Sequence, residues 1–269
     1  MILMDRLIRF GYLFFTIFTV LLLLGCKKES DHQTNSTRNS FVSVAAAANL
    51  RDVLEELKTF YIAENPDKKI QLTFGSSGLL TQQIINGAPF DLFLSADSSF
   101  TEKIKNENRN FGKAEIYALG KVAMWSSAFD LSEGLQTILN TEIKKIAIAD
   151  PELAPYGKNT VQALKNAGIY PKIEHKIVWA ENIGQAAQFA ATGNADLAFI
   201  ALSTARSKEM KAKGNYYLLS ENEVASIPQS GILLKGKKQT EAKQFFDFIR
   251  SRKTARIWKK YGYQTEIRH

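Results

Sequence analysis

The chain has 269 residues, 45% of them hydrophobic and 23% charged, with a single cysteine. That apolar share excludes a disordered chain, and one cysteine excludes a disulfide scaffold. A formal net charge of +8 is compatible with an anionic partner, whether nucleic acid, anionic lipid or a small oxyanion, and its distribution decides among them.

At the start, Arg6 and Arg9 lead into an uncharged apolar run from Gly11 to Leu24. This run is shorter than the roughly 20 residues of a membrane-spanning helix, so residues 1–25 read as a secretory signal. It ends in Leu23-Leu24-Gly25-Cys26, which resembles the bacterial lipobox. The resemblance implies cleavage before Cys26 and lipid attachment to its sulfur, holding the mature chain to a membrane surface by about 0.8 kcal/mol per buried CH2. Residues 27–40 carry no apolar side chain, so 26–40 is expected to be a flexible tether. Removing residues 1–25 still leaves a net charge of +7. The basic residues are dispersed, at Lys144-Lys145, Lys208 to Lys213, Lys235 to Lys238 and Arg250 to Lys260, and read as solvated faces. No basic stripe interleaved with aromatics appears, so no nucleic-acid partner is expected.

Beyond the tether, strands and helices alternate. Phe41 to Ala46 is a buried-strand run. Asn49 stands where an N-cap belongs, ahead of a helix with Leu50, Val53, Leu54, Leu57, Phe60 and Tyr61 on one face. A second strand, Ile70 to Phe74, ends in Gly75-Ser76-Ser77-Gly78 and a short helix; a third, Phe90 to Leu94, precedes a charged helix. Ile116 to Trp125 is long and apolar. Lys145 to Ala149 predicts a strand, Asp150 to Gly157 a loop, and Thr160, Val161, Leu164 and Ala167 one helix face. Lys176 to Trp179 and Leu197 to Ala201 predict strands on either side of a helix opened by Asn182. A strand at Gly231 to Leu234 and two closing helices, with Phe245 to Ile249 and with Ile257 and Trp258, complete the pattern. The alternation predicts an α/β protein with mostly parallel sheets, whose ligand sites lie beyond the carboxyl ends of the strands.

Four strand-to-helix loops lie at such ends: Ala46-Ala47-Ala48-Asn49, Gly75-Ser76-Ser77-Gly78, Pro155-Tyr156-Gly157 and Glu181-Asn182-Ile183-Gly184. A helix N-terminus presents unpaired N–H groups and partial positive charge, and small residues let the backbone approach a ligand. Asn49, Ser77 and Tyr156 add neutral donors, and none of the four loops holds Lys or Arg. Such a set suits a fully ionised oxyanion, with hydrogen bonds to charge worth about 1.5–3 kcal/mol each. Phosphate, which keeps a proton part of the time at neutral pH, calls for an acceptor carboxylate as well. Glu181 is the nearest one and reads as an exposed residue beside the helix start.

These loops also carry a family resemblance. Ala45 to Leu50, Phe74 to Gly78 with Gln83 to Asp97, Ala149 to Gly157 and Ala180 to Ala186 resemble, in order, the motifs of periplasmic molybdate-binding proteins of ABC importers. The resemblance implies a type II periplasmic binding protein, two lobes with the anion in the cleft between them. It implies donation to the anion from Ser77 through hydroxyl and N–H, from Asn49 through side chain or backbone, from Tyr156, and from the backbone N–H of Ile183. Many members take a tyrosine hydroxyl from the strand that reads Phe199-Ile200-Ala201 here, and Ala201 lacks it. A subgroup with Asn and Tyr in the first and third loops has Thr where this chain has Ala48, so only the Ala48 N–H contributes here.

The reading is therefore a monomeric extracytoplasmic lipoprotein, anchored at Cys26 and facing the periplasm or outer surface. It captures molybdate or tungstate for ABC permease subunits and needs no cofactor. The lobes are expected to be residues 41–120 plus 227–269, and 121–226, crossing near Leu119-Gly120 and Ile227-Pro228. Another oxyanion such as sulfate, or a lipid-anchored sensor with the same fold, remains the alternative. Catalysis is not expected: His32, His175 and His269 make no cluster, no Gly-x-Ser-x-Gly elbow exists, and Gly157-Lys158-Asn159 lacks the hydroxyl residue of a phosphate loop.

Overall fold

A computed structural model describes residues 41–265. The signal, Cys26 and the tether fall outside the described residues.

The chain runs β1 (Val42–Ala47), α1 (Arg51–Glu64), β2 (Ile70–Gly75), α2 (Ser77–Ile85), β3 (Leu92–Ser95), α3 (Ser98–Asn106), β4 (Asn110–Gly120), β5 (Val122–Ser126), β6 (Ile146–Ala149), α4 (Pro155–Asn166), α5 (Tyr170–Ile173), β7 (Ile177–Ala180), α6 (Ile183–Ala191), β8 (Leu197–Ala201), α7 (Leu202–Ala205), α8 (Lys208–Lys213), β9 (Asn215–Leu218), β10 (Ile227–Leu234), α9 (Gln239–Ile249) and α10 (Ala255–Lys260). Two five-stranded sheets result, in the orders β2-β1-β3-β10-β4 and β7-β6-β8-β5-β9. They are the paired sheets of the expected two-lobed fold. Each is mixed: the parallel strands joined by crossover helices sit at one side, and two antiparallel strands complete the other.

Burial follows the predicted periodicity. Val53, Leu54, Leu57 and Tyr61 are the buried face of α1, and Ala242, Phe245, Phe246 and Ile249 that of α9. The two helices meet where Tyr61 packs edge-on against Phe245, ring centroids 5.2 Å apart. Trp258 is buried beside them, its Nε1 donating to Ile249 O at 2.7 Å, which gives the indole a polar partner inside the core.

The apolar run from Ile116 to Trp125 is two strands rather than one element. β4 ends at Gly120 in the first sheet and β5 begins at Val122 in the second. The return crossing lies alongside it, with Ile227 paired to Gly120 and Pro228 to Leu119. Asn49 also departs from expectation. Ala48–Leu50 forms a short 3-10 turn, α1 starts one residue later, and Asn49 makes no capping bond. Its side chain is used elsewhere.

The parallel strands of both sheets aim their carboxyl ends at a common region. β1, β2 and β3 lead into Ala48-Asn49, Ser76-Ser77 and Ala96, while β6 and β7 lead into Ala154-Pro155-Tyr156 and Asn182-Ile183.

Candidate functional site

The structure gathers Ala48, Asn49, Ser77, Tyr156 and Ile183 around one cavity between the two sheets. Its volume, about 10 Å³, is on the scale of one water molecule and far below the roughly 300–1,000 Å³ of organic-ligand pockets. The sheets' loops touch across it. Gly78 N–H donates to Leu153 O at 2.9 Å, and Ser203 Oγ donates to Asn49 O at 2.7 Å. The cleft is thus closed.

Each wall residue owes its place to a local reason. Ser76 caps α2, its Oγ accepting from Leu79 N–H at 3.3 Å, which makes Ser77 the first helical residue. Ser77 is buried, and its Oγ accepts from Ala96 N–H at 3.1 Å. That bond occupies a lone pair of the hydroxyl and leaves its proton available for an anion. With Gly78 N–H bound to Leu153 and Leu79 N–H to the cap, the Ser77 N–H is the first-turn donor left on the cavity wall.

Asn182 does the same for α6. Its Oδ1 accepts from Gly184 N–H and Gln185 N–H, both at 3.0 Å. The N–H of Ile183, first residue of the helix, lies outside that capping set and on the cavity wall. Glu181 is exposed, as expected, and does not line the cavity.

Tyr156 occupies the second position of α4 behind Pro155. Gly157 admits this placement, because a Cβ there would collide with the backbone of Ala149 at the end of β6. The Tyr156 ring is buried and its hydroxyl reaches the crossing strand, so closely that a side chain on Gly120 would clash with it.

The Asn49 amide is turned away from the role of ligand donor. Its Nδ2 lies 2.8 Å from Gln229 Oε1, 2.8 Å from Tyr263 Oη and 3.4 Å from Tyr156 Oη. Two N–H groups satisfy the two short contacts. The orientation is locked, since Gln229 Nε2 donates to Ala96 O at 3.0 Å and Ile227 O at 2.9 Å, which leaves its Oε1 facing Asn49. Of the two groups read from the sequence, side chain and backbone, the side-chain amide is engaged by Gln229 and Tyr263. Asn49 Oδ1 is buried with no partner among the described residues.

Electrostatically the site is neutral. None of the residues lining the cavity carries a charged side chain. Burial pushes the Tyr156 phenol well above its ordinary value, with the neighbouring Tyr263 and Tyr117 adding to the shift. Burial also pushes Tyr263 up to about 12, against the lowering effect of its hydrogen bonds with Ser203, Asn49 and Tyr156. Both phenols are protonated donors at neutral pH. No group of three or more metal-ligating side chains exists among the described residues.

Sequence reasoning missed Ala96, Ser203, Gln229 and Tyr263. A signal existed for Gln229: a polar residue inside the apolar strand β10, fully buried. Tyr263 sits past the last helix and had none. Cys26 lies outside the described residues.

The chain matches the family described as bacterial extracellular solute-binding protein over residues 42–264. It is 36% identical to the molybdate-binding protein ModA of Rhodobacter capsulatus over 84% of this chain and 88% of that one. Identity to the molybdate-binding protein ModA of Escherichia coli is 25%, over 82% and 88% of the two chains. Among solved structures, the periplasmic molybdate-binding protein of Azotobacter vinelandii superposes with a TM-score of 0.78 at 31% identity, covering 84% of this chain and 99% of that one. The chain belongs to the family of bacterial extracellular solute-binding proteins.

Proposed function

We propose that this protein captures molybdate or tungstate outside the cytoplasm and delivers it to the permease subunits of an ABC importer. The observation that carries the reading is the composition of the cavity: hydroxyl and backbone N–H donors from both sheets, and no charged side chain. A tetrahedral dianion without protons can accept from every one of those donors. Phosphate would bring a proton that finds no carboxylate on the wall. Relatives at 36% and 25% identity named for molybdate binding support the same ligand.

Capture proceeds by hinge closure of residues 41–120 with 227–269 against 121–226. Ala48, Asn49 and Ser77 come from the first body, and Tyr156 and Ile183 from the second, so an anion bound to both sets stabilises the closed form that a permease recognises. The protein works as a monomer held to a membrane by lipid on Cys26. Titration calorimetry of the mature chain with molybdate, tungstate, sulfate and phosphate tests the ligand. Fatty-acid labelling of cells expressing wild type and Cys26→Ser tests the anchor, and equal labelling of both would contradict it.

A further inference from the structure

A buried polar cluster behind the cavity joins three parts of the chain that are distant in sequence. Its centre is the carbonyl of Asn49, which accepts from Ser203 Oγ at 2.7 Å and Tyr263 Oη at 3.0 Å. Tyr263 Oη also lies 2.8 Å from Asn49 Nδ2 and 3.2 Å from Ser203 Oγ. Ser203 follows β8 of the second sheet, and Asn49 follows β1 of the first.

Tyr263 is itself tied to the crossing point. Leu119 N–H donates to Gln264 O at 2.7 Å and Gln264 N–H to Leu119 O at 3.1 Å, one residue before β4 ends at Gly120. The Tyr263 ring is buried edge-on against Trp258, centroids 5.1 Å apart, which fixes where its hydroxyl points. Neither Tyr263 nor Ser203 lines the cavity.

We infer that Tyr263 is a positioning residue for anion binding: it and Ser203 clasp the Asn49 carbonyl, hold in place the turn whose preceding N–H groups, of Ala48 and Asn49, serve the anion, and tie the second sheet to the first when the cleft is shut. The inference rests on the reading of the cavity as an anion site. Tyr263 and Asn49 belong to the same body, so the part of the clasp that forms on closure is Ser203, bonded to Asn49 O at 2.7 Å and to Tyr263 Oη at 3.2 Å; those bonds oppose reopening rather than assist encounter. Loss of the Tyr263 hydroxyl accordingly acts on dissociation.

Stopped-flow measurement of molybdate binding to the mature chain separates the two rates. Tyr263→Phe and Ser203→Ala should each raise koff about 5-fold, the ratio set by one neutral hydrogen bond, with kon within about twofold of wild type. Because both hydroxyls serve one carbonyl, the double variant should raise koff by less than the product of the single effects. Thermal melts of the free proteins identify any variant that fails to fold, and Ser203→Ala carries the test if Tyr263→Phe does. Wild-type binding with an unchanged koff in the folded variants overturns the clasp, as do single effects that multiply without coupling. A wild-type chain that does not bind molybdate overturns the anion-site reading, and the clasp with it.

Discussion

Gln229 Oε1 and Asn49 Nδ2 meet at 2.8 Å, and this bond ties the crossing strand β10 to the loop that follows β1. The Gln229 amide is held by the carbonyls of Ala96 and Ile227, so it can present only its oxygen. Both residues are buried, so neither can exchange the bond for water.

Replacing Gln229 by Leu would leave two buried carbonyls and the Asn49 amide short of partners. The expected cost is about 2–4 kcal/mol of folding stability, measured by urea unfolding. Anion affinity should fall as well, because the loop that carries Ala48 and Asn49 loses its support. A variant as stable as wild type would show that this amide pair is not the anchor described.

Ser77→Ala removes a hydroxyl donor whose lone pair already serves Ala96 N–H. Molybdate affinity is expected to weaken by about 1–3 kcal/mol by calorimetry, with a smaller loss of stability for the orphaned N–H. Tyr156→Phe should weaken affinity by about 1 kcal/mol, the scale of one neutral hydrogen bond, with the Tyr156 backbone N–H in the first turn of α4 retained.

Ile183→Pro isolates one backbone donor. Proline is tolerated at the first position of a helix, and Asn182 already has the extended backbone, φ −149° and ψ 170°, that a following proline requires. The substitution should reduce anion affinity at least about tenfold, the scale of one charge-assisted hydrogen bond, while far-ultraviolet circular dichroism stays unchanged. Unchanged affinity would remove Ile183 N–H from the ligand set.

Alkaline pH should act on the tyrosine cluster. Burial raises the phenols of Tyr117, Tyr156 and Tyr263 in the folded protein, Tyr263 to about 12, whereas unfolding returns them to an ordinary value of 10.0. The folded chain then holds protons that the unfolded chain releases, so this contribution is complete below about pH 9, falls above pH 10 and is lost as pH passes the folded values. Urea midpoints from pH 8 to 11.5 should decline from pH 10 upward. Tyr263→Phe should decline less steeply there.

The fold was legible because hydrophobic periodicity and the strand–helix alternation are local signals. The four loops, and Asn49, Ser77 and Tyr156 within them, could be named because helix starts and small residues after parallel strands mark such loops in any α/β chain, whereas Ala48 and Ile183 were singled out by the family resemblance. Two features were not legible. The side chain of Asn49 reads locally as an N-cap, and its true partners, Tyr156, Gln229 and Tyr263, lie 107, 180 and 214 residues away. Similarly, Ile116 to Trp125 reads as one apolar run, and nothing local marks the change of sheet within it. The net +8 pointed to an anion, yet the cavity lining carries no charged side chain: the donors there are neutral groups whose placement only tertiary structure reveals.

Titration calorimetry of the mature chain with molybdate, beside phosphate as the proton-bearing control, addresses the central claim most directly. The account predicts one-to-one binding of molybdate, micromolar or tighter, with phosphate at least about 100-fold weaker because the wall offers donors and no carboxylate. Molybdate binding no tighter than millimolar, or phosphate binding as well as molybdate, would contradict it.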